Sequence, residues 1–457
     1  MTKYQKYAEY KDSGVDWLGE IPSHWEMWKL SHAYNEIGSG TTPSTSNEEN
    51  FEGDIPWVTT GELRENVILD TKKKVSQRTI ELFPTLRKYS SGSVAIAMYG
   101  ATIGRLGIFG VEATTNQACC VMTTSKILNN KYVFYWLQAF KNEIIQLSSG
   151  GGQPNINQEK VASLKISAPI IKDQITVVGF LDHETAKIDT LIAKQEKLIE
   201  LLKEKRQAVI SHAVTKGLNP NVPMKNSGVE WLGEVPEHWK IPRLKQLIRY
   251  GSSISYGIVQ PGEALDEGIP FIQTTNISKG SFELEDFQKT SLSIESNYPR
   301  SRLEGGEVIL GIRASIGAAF VVPMSFKGVN LSRGIARIIP NHLLRSDFLV
   351  WFFKSNAVDQ YWGLSKQGST FSEVSIETVK ELSVVIPPIK EQIDIANYVK
   401  NESSKFEKLM LSAEKQKNLL TERRTALISA AVTGKIDVRH WQIPNKNNNQ
   451  DNMELSV

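Results

Sequence analysis

The chain contains itself twice. KDSGVDWLGEIPSHW at 11–25 returns as KNSGVEWLGEVPEHW at 225–239, identical at 11 of 15 positions and 214 residues further on. Near that shift Gly92-Ser93-Val94 answers Gly306-Glu307-Val308, and Asn116 answers Asn330. Later, PIIKDQI from Pro169 matches PPIKEQI from Pro387, and Ala213-Val214-Thr215 matches Ala431-Val432-Thr433, now at a shift of 218. A period this long rules out a solenoid, whose short units bury their faces only against neighbours, so each copy is a whole domain with a tail. Between the matched ends, the stretch from Glu26 to about Ala168 and that from Lys240 to about Ile386 share only scattered positions. One scaffold therefore carries two different surfaces.

Within each copy, short apolar runs bounded by Gly, Pro, Ser and Asn read as strands joined by turns, among them Val94–Met98, Ile269–Ile272 and Val308–Ile312. NNKYVFYWLQAFKNEIIQL at 129–147 and SDFLVWFFKSNAVDQYW at 346–362 read as helices, with Asn130 and Ser346 as N-caps. The expected fold class is therefore α/β (α+β), with a mixed sheet and helices in each domain.

The tails differ in character. From about Lys172 to His212 and from about Lys390 to Val432 the chain runs without proline and almost without glycine, and both stretches start just after a proline suited to a first helical turn. A 3,4 spacing picks out Ile188, Leu191, Gln195, Leu198, Leu202, Lys205 and Val209 in the first, and Phe406, Leu409, Ala413, Gln416, Leu420, Arg423 and Leu427 in the second. Such a heptad stripe either packs each helix on its own domain or, because the pair match in length and seam, joins them as an antiparallel coiled coil. About 40 helical residues at ~1.5 Å each reach roughly 60 Å. Lys203, Glu204, Lys205 and Arg206, with Glu422, Arg423 and Arg424, read as a solvated helix face rather than a DNA-binding patch. The division that follows is an opening and first domain at 1–168, a spacer helix at 169–216, a linker, repeated opening and second domain at 217–386, a second spacer helix at 387–440 and a disordered Asn-rich tail at 441–457.

Bulk composition excludes more than it selects. A net charge of +3 from 53 basic and 50 acidic side chains announces no nucleic acid, so a DNA-binding reading has to rest on local features. The only two cysteines, Cys119 and Cys120, are adjacent, sit in an apolar run, and offer neither a disulfide framework nor a zinc site. With no apolar N-terminal core and no uninterrupted 18-residue apolar stretch, a cytoplasmic chain without membrane contact is expected.

The domain–helix–domain–helix plan, the SGVDWLGEIPSHW and SGVEWLGEVPEHW openings, and the PIIKDQI and PPIKEQI helix starts resemble the specificity subunits of type I restriction-modification systems. IPWVTTGEL at 55–63, ATIGRLG at 101–107, IPFIQTTNI at 269–277 and ASIGAAF at 314–320 resemble recurring segments of the same family. That resemblance implies two target recognition domains on double-stranded DNA, each reading one part of a bipartite, asymmetric site. The helices would serve as spacer and as docking surface for methyltransferase (modification) subunits, which a restriction/motor subunit then joins. It also implies no cofactor in this chain; S-adenosylmethionine, ATP and Mg would belong to the partner subunits.

Against that expectation the polar loops become DNA-binding candidates. GSGTTPS at 38–44 lacks the Gly-Lys-Ser/Thr ending of a phosphate loop, which leaves Ser39, Thr41 and Thr42 as either a plain turn or DNA-facing hydroxyls. Tyr99, Thr102 and Arg105, and in the second copy Arg313 and Ser315, lie beside small residues; the arginines suit guanine, a phosphate or a surface salt bridge. Asn116 with Gln117, Asn330 (which Leu331 follows in place of Gln), Gln153 with Asn155, and Gln367 with Ser369 and Thr370 complete the set. Trp17, Trp25, Trp231 and Trp239 read as core anchors, and His24 and His238 lack a matching metal-ligand set. The methyltransferase motif Asn/Asp-Pro-Pro-aromatic, a Walker lysine and a convincing acidic nuclease cluster are all missing, so the chain is expected to catalyse nothing alone. The rivals are a coiled-coil adaptor whose variable domains bind protein, and an enzyme with a novel site in those domains.

Overall fold

A computed structural model describes residues 4–147, 155–279, 283–365 and 373–443. The Asn-rich stretch and the candidates Gln153, Gln367, Ser369 and Thr370 lie outside them. The chain divides into two compact units, Met1–Gln195 with Gln416–Val457, and Glu196–Lys415. Each unit therefore takes part of both long helices.

In the first unit the repeated opening forms a hairpin, Tyr10–Asp12 against Glu20–Pro22. Strand Glu26–Lys29 then pairs antiparallel with Lys165–Ala168, so the ends of the variable stretch meet just ahead of the helix. A five-stranded sheet runs in the order Ile37–Ser39, Cys119–Met122, Val94–Ala97, Leu106–Phe109, Asn66–Ile68. Its middle strands are apolar at every position because both faces are covered. Val94, Ile96, Cys120 and Met122 enter one core; Ala95, Ala97, Cys119 and Val121 enter another. Burial accordingly pushes the Cys120 thiol up to about 12 and raises Cys119 as well.

The second unit repeats the plan with hairpin Met224–Asn226/Glu234–Pro236 and a sheet ordered Ser255–Tyr256, Ile335–Ile338, Val308–Gly311, Ala319–Val321. Each unit also holds a three-stranded sheet. Its central strand, Ile55–Val58 or Ile269–Ile272, pairs parallel with Thr114–Thr115 or Asn330–Leu331 and antiparallel with Lys74–Val75 or Gln288–Thr290.

The expected helices begin one residue away from where their caps were placed. Asn129, not Asn130, is the N-cap, its side chain accepting from the backbone of Lys131 and Tyr132 over helix Asn130–Ala139; a second helix, Lys141–Gln146, follows. Arg345 precedes helix Ser346–Phe353, and Ser346 Oγ instead donates to the Gly306 carbonyl at 2.6 Å. Asn130 Nδ2 is likewise engaged elsewhere, donating to the carbonyls of Gly92 and Thr123.

The long helices span Ile171–Lys216 and Ile389–Val432. One buried glutamine anchors the start of each. Gln174 accepts from the Asn129 N–H and donates to the carbonyls of Ile127 and Pro169; Gln392 does the same with Arg345, Leu343 and Pro387. Within each unit the two helices run antiparallel. Asp189 meets Arg424 and Gln195 meets Gln416 in the first, while Arg206 meets Glu407 in the second. Each helix ends in the core of a unit other than the one in which it starts: Ile428 and Ala430–Val432 pack with Phe180 and Leu181, and Ile210, Ala213 and Val214 with Ile395 and Val399.

The seam has the opposite order of steps from the expected one. Ile188, Phe406 and Ala413 are buried and Leu202, Val209, Leu420 and Leu427 half-buried, but Leu191, Leu198 and Leu409 are 45%, 43% and 53% exposed. Their neighbours Ile192, Ile199 and Met410 turn inward instead. Leu-Ile and Leu-Met doublets satisfy either order of threes and fours, so the stripe is legible in sequence while its facing is decided by packing. Arg206 and Arg424 correct the reading of their run as solvated, since both turn onto the partner helix. Lys203, Glu204, Lys205, Glu422 and Arg423 remain exposed.

Candidate nucleic-acid interface

In the first unit the GSGTTPS loop is clamped onto the three-stranded sheet. A Cβ at Gly40 would lie 1.8 Å from the Thr115 carbonyl oxygen, an approach only glycine permits. Thr41 N–H donates to that same carbonyl, and the Thr41 carbonyl accepts from Trp57 Nε1 at 3.1 Å. Thr41 Oγ1 contacts Thr85 Oγ1, and the Thr42 hydroxyl donates to Gln117 Oε1. Structure thus brings Thr41, Thr42 and Gln117 together on one rim. Ser39 sits inside the paired edge strand, its carbonyl accepting from the Tyr89 hydroxyl at 3.1 Å. Asn116 is half-buried and caps the backbone of Ala118.

Tyr99 and Asn155 bridge by backbone, with Asn155 exposed. Thr102 closes a short helical turn, Gly100–Thr102, and its carbonyl accepts from the Arg105 N–H; Arg105 is half-buried, and its guanidinium has no hydrogen bond or ion pair among the described residues. Arg313, which occupies the Tyr99 position in the second unit, bridges to Glu373 by backbone and lies 3.6 Å from its carboxylate. Both side chains of this ion pair are partly exposed. Ser315 Oγ reaches the Thr274 carbonyl at 3.4 Å.

Asn330 is a correction. It is 0% exposed, accepts from Ser301 Oγ at 2.6 Å, and donates to Glu295 at 2.9 Å and to the Tyr298 carbonyl. Glu295, itself buried, is held by Arg302 through both its oxygens, which draws its pKa down. Satisfying that buried carboxylate, rather than meeting a ligand, is what Asn330 does.

The tryptophans of the openings pack as anchors. Trp25 and Trp239 are fully buried, Trp17 packs on Trp136 and Phe140, and Trp231 on Tyr361. His24 lies against Tyr7, and His238 Nε2 is 2.8 Å from Glu391. Among the described residues no group of three His, Cys, Asp or Glu is placed to hold a metal, and no helix is long and apolar enough to cross a membrane.

Sequence reasoning passed over a cleft of about 450 Å³ beside the GSGTTPS rim, lined by Trp57, Thr59, Glu62, Arg64, Lys72 and Lys73 among others. The cationic run Lys72-Lys73-Lys74, next in space to the quoted IPWVTTGEL segment, was the available signal.

Comparison with known proteins follows the same outline. The family described as type I restriction modification DNA specificity domain matches at residues 22–201 and again at 236–419. The chain is 25% identical over 342 residues to the type I restriction enzyme EcoBI specificity subunit of Escherichia coli, covering 73% of this chain and 71% of that one. It is 21% identical over 429 residues to the type I restriction enzyme MjaVIII specificity subunit of Methanocaldococcus jannaschii, covering 92% and 95%. In fold it resembles a chain from a study of complex assembly in the type I R-M system, with TM-score 0.71, 16% identity and coverage of 91% and 99%. The HsdS subunit from Thermoanaerobacter tengcongensis is a second neighbour, with TM-score 0.53, 15% identity and coverage of 91% and 98%. With both halves matched by one family across most of its length, the chain belongs to the type I restriction modification DNA specificity family.

Proposed function

We propose that this chain is the sequence-specific DNA-recognition subunit of a type I restriction-modification enzyme. Its two domains would each read one half of a bipartite double-stranded DNA site. The observation that carries the reading is the pairing of a repeated frame with unrepeated surfaces. The openings, the anchoring glutamines Gln174 and Gln392 and the cross-helix ion pairs recur, while the sheet rims differ residue by residue. Unlike half-sites, and hence an asymmetric target, follow from unlike rims. The major groove offers each rim a pattern of donors and acceptors that distinguishes all four base pairs.

The long helices are the spacer that sets the untouched gap between half-sites. Their outward leucines, Leu191, Leu198 and Leu409, are ready for modification subunits, with a restriction/motor subunit completing the assembly. Base extrusion and methyl transfer, with S-adenosylmethionine, would occur in the modification subunits, and ATP and Mg would serve the motor. The adaptor alternative is not favoured, since one DNA specificity family covers both variable domains.

Replacing residues 26–168 by the corresponding domain of another family member tests the reading through the methylation pattern of the assembled enzyme. One half-site should change and the other persist. A change in both, or in neither, would overturn it.

A further inference from the structure

The two three-stranded sheets place different chemistry at one topological position. Pro56 pairs with Lys74 in the first unit and Pro270 with Lys289 in the second. One residue earlier on the outer strand stand Lys73 and Gln288, and just past the central strand stand Thr59 and Gln273.

In the first unit this position is a cationic cleft. Lys72, Lys73 and Arg64 are exposed along it. The Lys72 ammonium makes no ion pair among the described residues, Lys73 Nζ sits 4.6 Å above the Phe51 ring, and Arg64 spends only Nε, on the Gly61 carbonyl. The one lining carboxylate is occupied: Glu62 accepts from the backbone N–H and hydroxyl of Thr59 and from the N–H of Lys72, so it shapes the turn. Three cations against one engaged carboxylate leave a positive cleft with free donors. Its floor is the buried Trp57, tied to the hydroxyl-bearing GSGTTPS rim.

In the second unit the same position is neutral. Gln273 Nε2 donates to Gln288 Oε1 at 2.9 Å, and the partner amide atoms of this pair point to no other group among the described residues. With one bond spent inside the pair, Gln273 Oε1 remains as an acceptor and Gln288 Nε2 as a donor, the pattern that matches adenine N6 and N7 in the major groove.

We infer that the two domains divide the work of gripping DNA at this shared position. The Lys72–Lys73–Arg64 cleft takes the sugar–phosphate backbone, and the Gln273–Gln288 pair reads a base edge. This rests on the DNA-recognition reading above. Phosphate contacts add affinity that salt screens and carry no sequence information, whereas an amide against a base edge does the reverse.

The test uses the full chain assembled with its modification subunit, on a duplex enriched from a random pool, titrated between roughly 50 and 200 mM salt. Lys72→Gln with Lys73→Gln should lower the slope of log affinity on log salt by about two and leave the enriched sequence unchanged; arginine at both positions should restore it. Gln273→Ala should keep the slope and lose about tenfold or more of the preference at one base pair in one half-site. An unchanged slope in the lysine variant, or an unchanged preference in the Gln273 variant, overturns the inference while sequence-specific binding stands. Failure of the unaltered complex to prefer any duplex overturns the recognition reading itself, and the inference with it.

Discussion

Arg424 holds Asp189 across the helix pair of the first unit, Nε to Oδ1 at 2.7 Å and Nη2 to Oδ2 at 3.3 Å. In the second unit Arg206 holds Glu407 at 2.9 Å. At the repeat shift of 218 residues, Arg206 corresponds to Arg424 and Asp189 to Glu407, so each bond joins the acidic position of one copy to the basic position of the other.

These pairs set register more than they add stability, because they are partly solvated: side-chain exposure is 25% for Arg424 and 50% for Asp189. Arg424→Ala should cost no more than about 1 kcal/mol. Asp189→Arg combined with Arg424→Asp should recover most of that loss in urea unfolding. Two single-variant losses that simply add in the exchanged double variant would show that the pair does not interact.

The anchoring glutamines should matter more. Gln392 is fully buried and satisfies one N–H and two carbonyls at the join of domain and helix. Gln392→Leu would strand those groups and should destabilise by about 1–3 kcal/mol. Chemical unfolding followed by tryptophan emission measures it, and a loss below ~0.5 kcal/mol would contradict the role.

Adjacent seam positions should behave oppositely. Ile188→Ala removes a buried side chain and should cost about 2–4 kcal/mol. Leu191→Ala, at an exposed position, should change stability by less than ~0.5 kcal/mol. Replacing Leu191, Leu198 and Leu409 together by serine should instead weaken co-purification with the modification subunit. Equal stability losses at 188 and 191 would refute the assigned facing.

Acid should loosen the second unit in a defined window. Arg249 donates to Glu304, Arg337 pairs with it at 3.0 Å, and together they hold its carboxyl down at about 2, against an ordinary 4.5. A depressed carboxyl stabilises fully above its unfolded value and loses that contribution as pH falls through the folded one. Relative to Glu304→Gln, the unaltered chain should hold a constant advantage above about pH 5 that vanishes towards about 2. Urea midpoints measured down that range would show the gap closing; a gap independent of pH would rule out the linkage.

Much of the architecture is written locally. The duplicated opening, the proline-free tails and the alternation of short apolar runs with turns determined two like domains and two long helices, because periodicity and backbone chemistry act within a few residues. Strands Ile269–Ile272 and Val308–Gly311 lie where those runs placed them. What the runs could not determine is facing. Leu191 and Ile192 are equally apolar, and only the partner helix selects between them. Asn330 and Asn116 align at the repeat shift, yet the strand register sets Asn330 opposite Phe271, the place that Thr114 takes opposite Trp57, and both of those positions are fully buried. The cleft at Thr59, Arg64, Lys72 and Lys73 exists because an antiparallel ladder brings residues more than a dozen positions apart onto one rim, a proximity that arises only when the sheet closes.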